Sequence, residues 1–219
     1  MTGPAAEGRV ESVNVAVVRT ADWTKKARST GIDKRPVAGP VLLTAAGVEG
    51  DSICDRVHHG GPDQAVYAYS CEDLAFWSAE LGTPVLPGGG GENLTLSGVD
   101  CSGAVLGERW QAGTAVLQVR APRIPCSVLA GFRGVPDLVR RFVAARRPGS
   151  YLAVVQPGTV AAGATVRVLD RPAHGVTVAQ LSAAITGERS QLPAVAAARE
   201  HLGAREQDWL DRTLGVTRV

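Results

Sequence analysis

The chain has 219 residues, 45% of them hydrophobic and 20% charged, enough apolar material for a core without disulfide or metal staples. Its 23 lysines and arginines stand against 21 aspartates and glutamates, a net charge of +2 with no basic block, which excludes a nucleic-acid-binding design. Residues 1–9 have no export-signal character and no apolar run is long enough to cross a bilayer, so a cytoplasmic protein with no membrane contact is expected.

From residue 10 to 172 the chain runs through short β-type segments, at 13–18, 40–44, 65–69, 115–119, 152–155 and 165–169. Each is rich in Val, Leu or Tyr and bounded by Gly, Pro or Asp. That density of short strands favours a barrel over a parallel sheet, so the fold class is read as mainly β with a few helices. Ser70 is an N-cap for a helix carrying Leu74, Trp77 and Leu81 before Gly82. Leu138, Val139, Phe142 and Val143 form a second helical stripe after Pro136. After Arg171-Pro172 the pattern changes to three helices, opened by Thr177 and continuing over 190–202 and 205–214. The chain is thus divided into a barrel at 10–172 and a small helical appendage at 173–219, too small for a large core alone and docked on the barrel.

Four segments could carry chemistry. Gly50-Asp51 with Asp55-Arg-Val-His-His-Gly-Gly-Pro-Asp63 sets imidazole beside backbone amides that can approach a ligand; the plain reading is a polar turn. Adjacent histidines diverge on a strand, so His58 and His59 alone make no metal site. In Pro87-Gly-Gly-Gly-Gly-Glu-Asn-Leu-Thr-Leu96 the glycines read as a plain flexible loop, because no Lys-Ser/Thr follows. Glu92 and Asn93, however, enter an apolar strand where polar groups need partners. In Arg120-Ala-Pro-Arg-Ile-Pro-Cys126 two arginines are expected to depress the thiol pKa, favouring a thiolate that acts as nucleophile or soft metal ligand. Taken alone such a cysteine reads as packing; Cys54, Cys71 and Cys101, which lack paired spacing and any structural-zinc pattern, read as packing or surface. Thr30-Gly-Ile-Asp-Lys34-Arg35-Pro36 could grip a phosphate or be a solvated loop. His174 and His201 read as surface residues.

The order and spacing of these segments are more specific than any one of them. Gly-Asp, Asp-x3-His-Gly-Gly-Pro-Asp-x-Ala-Val-Tyr-x-Tyr, Gly-Glu-Asn-Leu-Thr and Pro-Arg-x-Pro-Cys together closely resemble the MOSC family, the molybdenum cofactor sulfurase C-terminal domain. Thr30-Gly-Ile-Asp-Lys-Arg-Pro-Val and the helical tail resemble its stand-alone bacterial, YiiM-like branch. The resemblance covers about residues 10–215. It implies a β-barrel with a cleft for a molybdenum-pterin cofactor (molybdopterin), ligated by Cys126. It further implies that His59, Gly60, Gly61, Glu92, Asn93 and Arg123 line that cleft and that Thr30, Gly31, Lys34 and Arg35 meet the pterin or its phosphate. The chain departs from the family at Val128 and Ala153, where relatives often carry cations, and at Glu108, where an Asp is frequent.

On that resemblance the expected activity is an oxidoreductase acting on N-hydroxylated, hydroxylamino-purine-like small molecules, with His59 or Glu92 supplying protons. Electrons are expected from a separate donor protein, because the chain has no flavin, nicotinamide, haem or iron–sulfur signature. Two other readings stay open: a sulfur carrier using a Cys126 persulfide, and a cofactor-free binding module, for which Val128 and Ala153 argue. The oligomeric state stays open, with a homodimer among the alternatives.

Overall fold

The computed structural model describes residues 7–24 and 29–216. In chain order the strands are β1 (Glu7–Ala16), β2 (Arg19–Thr20), β3 (Ser29–Thr30), β4 (Lys34–Pro36), β5 (Val41–Thr44), β6 (Gly47–Val48) and β7 (Val66–Ser70). They continue as β8 (Leu94–Ser97), β9 (Arg109–Ala112), β10 (Ala115–Pro122), β11 (Ser150–Gln156), β12 (Gly158–Val160) and β13 (Thr165–Asp170). The helices are α1 (Cys71–Leu81), α2 (Ser127–Arg133), α3 (Leu138–Ala145), α4 (Val178–Ile185), α5 (Leu192–Ala197) and α6 (Ala204–Leu214).

The barrel expected from the short strands is present and closed. Its ring runs β1-β8-β7-β11-β10-β9-β13 and returns to β1, with only the β7–β8 pair parallel. Closure depends on the length of β1. Its first residues pair with β13, its middle with β8, and its last residues, Asn14 to Ala16, with β4. A register shift between Val10 and Ser12 lets it bend from one neighbour to the next.

Period-two alternation fills the barrel. On β10, Ala115, Leu117, Val119 and Ala121 are buried while the residues between them are only half-buried. β7 is buried on both faces: Val66 and Ala68 enter the barrel core, whereas Tyr67 and Tyr69 join Leu74, Trp77, Leu129, Leu138 and Phe142 in a second cluster. There Trp77 stacks on Phe142, with ring centroids 5.3 Å apart, and donates its indole N–H to the Tyr69 hydroxyl at 2.7 Å. α1 has the expected start and stop. The Ser70 hydroxyl accepts the Asp73 N–H, and Gly82 ends the helix in the left-handed region.

The tail differs from its expected form in one element. The stretch 190–202 is not one helix but a 3-10 turn at Arg189–Gln191, then α5, then a second 3-10 turn at Arg199–His201. Pro193 explains the break, since it has no N–H and fits only a first turn. α4 starts with a capping box between Thr177 and Gln180. Val178, Leu181, Val195, Leu202 and Leu210 are fully buried in the same cluster as the barrel residues. His174 and His201 are not free surface residues either; their half-buried rings lie 4.7 Å apart. No helix among the described residues is long and apolar enough to cross a membrane.

Candidate functional site

A cleft of about 870 Å³ opens beside the barrel, between the β10–α2 connection, the 51–60 segment, the start of β4 and the first turn of α6. Cys126 stands in it, half-buried, in the last extended position before α2. That helix is absent from the sequence reading: it has only 7 residues, about two turns, and Pro125 in front of it suggests only a loop. Burial alone would raise the thiol pKa. The hydrogen bond from His59, the Arg123 guanidinium and the N–H groups of Leu129 and Val128 outweigh it and bring the thiol down to about 7.

Only one of the two neighbouring arginines acts on the thiol. Arg120 points away, donating to Asp63 at 2.8 Å and to the His201 carbonyl at 3.1 Å, and so ties α6 and the tail to the barrel. Arg123 is 3% exposed, lies against the Tyr67 ring at 5.6 Å, and leaves its Nη1 without a partner. Among the described residues no carboxylate pairs with it, so it is a buried cation in need of an anion.

These causes can be measured. The alkylation rate of Cys126 by iodoacetamide should rise with a midpoint near pH 7. Replacing His59 with Gln should move that midpoint upward, because a donor to the thiolate is weakened. An unchanged midpoint in His59→Gln would remove His59 from this account.

The two histidines diverge, although they stand in a turn, closed by the His59 N–H donating to the Asp55 carbonyl at 3.1 Å, and not on the expected strand. His58 is exposed and its Nδ1 contacts Asp55 at 2.9 Å, while His59 lines the cleft with its Nδ1 3.4 Å from the Tyr151 hydroxyl. Burial holds the Tyr151 phenol above its ordinary pKa, so it stays protonated beside His59. Arg205 of α6 clamps the segment by donating to the carbonyls of Val57 and His58. Tyr67, Tyr151, Gln64, Arg205 and Glu206 all line the cleft and were missed by the sequence reading. Gln64 and Tyr67 fall inside the Asp-x-Ala-Val-Tyr-x-Tyr motif without having been assigned to the site; the others arrive from distant elements.

At the opposite wall Lys34, Asp51 and Asn93 form one buried network. Asp51 accepts the Lys34 ammonium and the Asn93 Nδ2 on one oxygen, the latter at 2.8 Å, and the Ala16 N–H on the other. Burial pulls the Lys34 ammonium below its ordinary value, against the attraction of Asp51. Thr30 and Gly31 also line this wall. A Cβ at Gly31 would collide with the Ser52 carbonyl, so only glycine lets the two segments meet. Gly60 and Asn93 lie in the cleft as well.

Three of the expected residues stand elsewhere. Arg35 is mostly exposed and paired with Asp33 at 3.0 Å, because alternation along β4 turns it away from Lys34. Gly61 is outside the lining and serves the 3-10 turn that follows it, at φ 90°. Glu92 is fully buried and is a scaffold instead of a proton source. Its Oε1 accepts the Gly88 N–H at 2.7 Å and the Thr95 hydroxyl at 2.9 Å, and its Oε2 accepts the Gly90 N–H at 2.9 Å. The glycine run is therefore an ordered loop wrapped on a carboxylate. At Gly88, φ is 83° and a Cβ would strike the Lys34 carbonyl, so the loop can press on β4 only as glycine. Of the departures from the family pattern, Val128 lines the cleft and Ala153 does not, while Glu108 is buried and accepts from Trp110 and Arg171.

The donors present suit a molybdenum-pterin group. Two free cysteines line the cleft, the exposed Cys54 and Cys126 with its pKa brought down to about 7, a buried guanidinium lacks its anion, and among the described residues no three His, Cys, Asp or Glu converge. A metal held at Cys126 must therefore bring its other ligands, as a pterin dithiolene does.

The protein is thus a closed, mainly antiparallel β-barrel with a side cleft that holds Cys126. The chain belongs to the MOSC domain family, whose pattern matches residues 55–167. It is 37% identical to the uncharacterized protein YflK of Bacillus subtilis over 169 residues, 77% of this chain and 76% of that protein. The crystal structure of YiiM from Geobacillus stearothermophilus aligns with a TM-score of 0.78 at 31% identity, covering 94% of this chain and 99% of that one. A Gibberella moniliformis protein named a reductase is 31% identical over 150 residues, 66% of this chain but 26% of its own length. The YiiM-like branch expected from the motifs is thereby met.

Proposed function

We propose that this protein is a molybdenum-pterin reductase of N-hydroxylated small molecules, with Cys126 as the single protein ligand to the metal. The observation that carries the reading is the Cys126 thiol, lowered to about 7 in a cleft where Arg123 has an orphaned Nη1. Kinship with a fungal protein named a reductase supports the redox class. The bound group would supply the two electrons that cleave a nitrogen–oxygen bond, received in turn from a separate donor protein. The balance is R–NH–OH plus two electrons and two protons, giving R–NH2 and water.

The chain's own residues have distinct tasks in this reading. Cys126 holds the metal as thiolate, and Arg123 neutralises the negative charge gathered there. Lys34, kept in place by Asp51 and Asn93, would meet the phosphate of the bound group. His59, hydrogen-bonded toward the thiol and the Tyr151 hydroxyl, would pass protons to a substrate bound beside Cys126. Tyr67 and Tyr151 shut out water around Arg123, which strengthens each of these interactions.

The test is protein produced in a host that makes the cofactor, assayed with 6-N-hydroxylaminopurine and reduced methyl viologen as artificial electron donor. Near-stoichiometric molybdenum and formation of adenine are expected. A metal-free protein whose Cys126 carries an added sulfur atom would instead establish the carrier reading.

A further inference from the structure

The helical tail is held to the barrel through two imidazoles. His174 stands in the connection from β13 to α4, and His201 ends the 3-10 turn Arg199–His201 before α6. Their half-buried rings are in contact, with centroids 4.7 Å apart. The His201 ring packs over Gly107, where a Cβ would fall 2.4 Å from its Nδ1, so only glycine admits it. His174 Nδ1 accepts the Val176 N–H at 3.0 Å, which leaves the proton of the neutral ring on Nε2. That Nε2 is enclosed and makes no well-formed hydrogen bond, the Leu106 carbonyl being the acceptor on its side.

The arrangement suits a neutral His174. A second proton has to enter at Nδ1, where it displaces the Val176 N–H. The Val176 carbonyl accepts the Leu106 N–H at 3.0 Å and the Val178 N–H donates to the Ala104 carbonyl at 2.9 Å, so the same few residues dock the tail on the barrel. Burial first, then the neighbouring His201, hold His174 below its ordinary pKa, against the Leu106 carbonyl and the Glu200 carboxylate. The other charges around the two rings are solvated or engaged. Glu200 is exposed and 3.6 Å from His201 Nε2, Arg199 is held by Asp211, Arg120 by Asp63, and the buried Glu108 beside Gly107 by Arg171.

From His201 the connection runs to the cleft. Its carbonyl accepts Arg120 Nη1 at 3.1 Å, and Arg120 Nε holds Asp63 at 2.8 Å. Asp63 Oδ2 accepts the Ala204 N–H at the start of α6, and Arg205, one residue on, clamps the carbonyls of Val57 and His58 in the cleft wall.

We propose that the His174–His201 contact is a proton-operated latch: a proton on His174 parts the two rings, frees the 199–205 segment from the barrel and so releases the Arg205 clamp on the cleft wall. The inference is independent of the cofactor and the substrate proposed for the cleft. Its sign follows from linkage. The latched state binds the proton less tightly than the released one, so the latch is fully closed above the ordinary histidine value and opens as pH falls through the lowered one.

The test is amide hydrogen exchange, read by mass spectrometry on the full chain without cofactor at about pH 7.5 and about pH 5.5 and corrected for the intrinsic pH dependence of exchange. In wild type, protection over 199–207 should fall at least about tenfold at the lower pH, with a smaller fall over 55–60 as the clamp lets go. His174→Asn keeps an acceptor two residues before Val176 and takes no proton, so its protection should be the same at both pH values. Wild type with unchanged protection over 199–207 overturns the latch. So does a His174→Asn variant that loses as much as wild type, a result that moves the response to His58 or Glu206, the other titratable groups beside the first turn of α6. A fall confined to the tail overturns the link to the cleft. Should His174→Asn lower the thermal midpoint at the upper pH, His201→Phe takes its place. That variant keeps a ring against His174 without a second charge and should show a smaller fall than wild type; an undiminished fall overturns the pairing.

Discussion

Protein carrying alanine in place of Cys126 is expected to retain only background molybdenum and to lose more than about 100-fold in the rate of adenine formation, beyond what loss of an outer-shell partner costs. The reason is the donor set. No group of three or more potential ligands exists among the described residues, so the remaining side chains form no ready-made metal cage when the Cys126 thiolate is removed. Folding should be nearly unaffected, because the side chain is only half-buried and belongs to neither hydrophobic cluster. The checks are metal analysis and a thermal melt on the same preparation. A variant that kept one molybdenum per chain would separate Cys126 from the metal and leave it as a nucleophile or carrier. Serine at the same position gives a graded comparison, since a hydroxyl at neutral pH supplies neither the charge nor the softness of a thiolate.

The second large effect falls on stability instead of chemistry. Glu92→Leu should lower the free energy of unfolding by about 3–5 kcal/mol, because two loop N–H groups and the Thr95 hydroxyl lose their acceptor where water cannot replace it. Glu92→Gln should cost less, since its carbonyl oxygen still accepts. It also tests the sign of a linkage. Burial raises the Glu92 carboxyl above its ordinary value in the folded protein, so the folded state binds the proton more tightly than the unfolded chain. The stability this group contributes is full below the ordinary carboxyl value and is lost as pH rises through the folded one. Urea midpoints measured over the acid range should therefore fall with rising pH more steeply in wild type than in Glu92→Gln. A steeper fall in the variant would show that the carboxyl pKa is lowered and would reverse the account of the glycine loop.

Much of the barrel was legible in short runs of residues. Ser70 and Gly82 bound α1, and the alternation along β10 selects its inward face, because caps and pleats depend on neighbours a few positions away. The Cys126 segment was legible as a motif for the same reason. Its electrostatics were not. Arg120 and Arg123 look equivalent in the sequence, yet one is engaged by Asp63 and the other faces the thiol. Likewise Glu92, adjacent to Asn93, turns inward to the glycine loop while Asn93 reaches Asp51, a difference set by which face of β8's approach each occupies.

The sequence by itself thus determined the mainly β architecture, the helix caps and the family motif around Cys126. Those rest on local sterics and on the order of residues along one chain. The tertiary structure alone decided which groups share the cleft: Tyr151 from β11, Arg205 and Glu206 from α6, Lys34 beside Asp51. Burial and Coulomb attraction act through distance in space, and no spacing along the chain encodes the approach of α6 to the 58–64 segment.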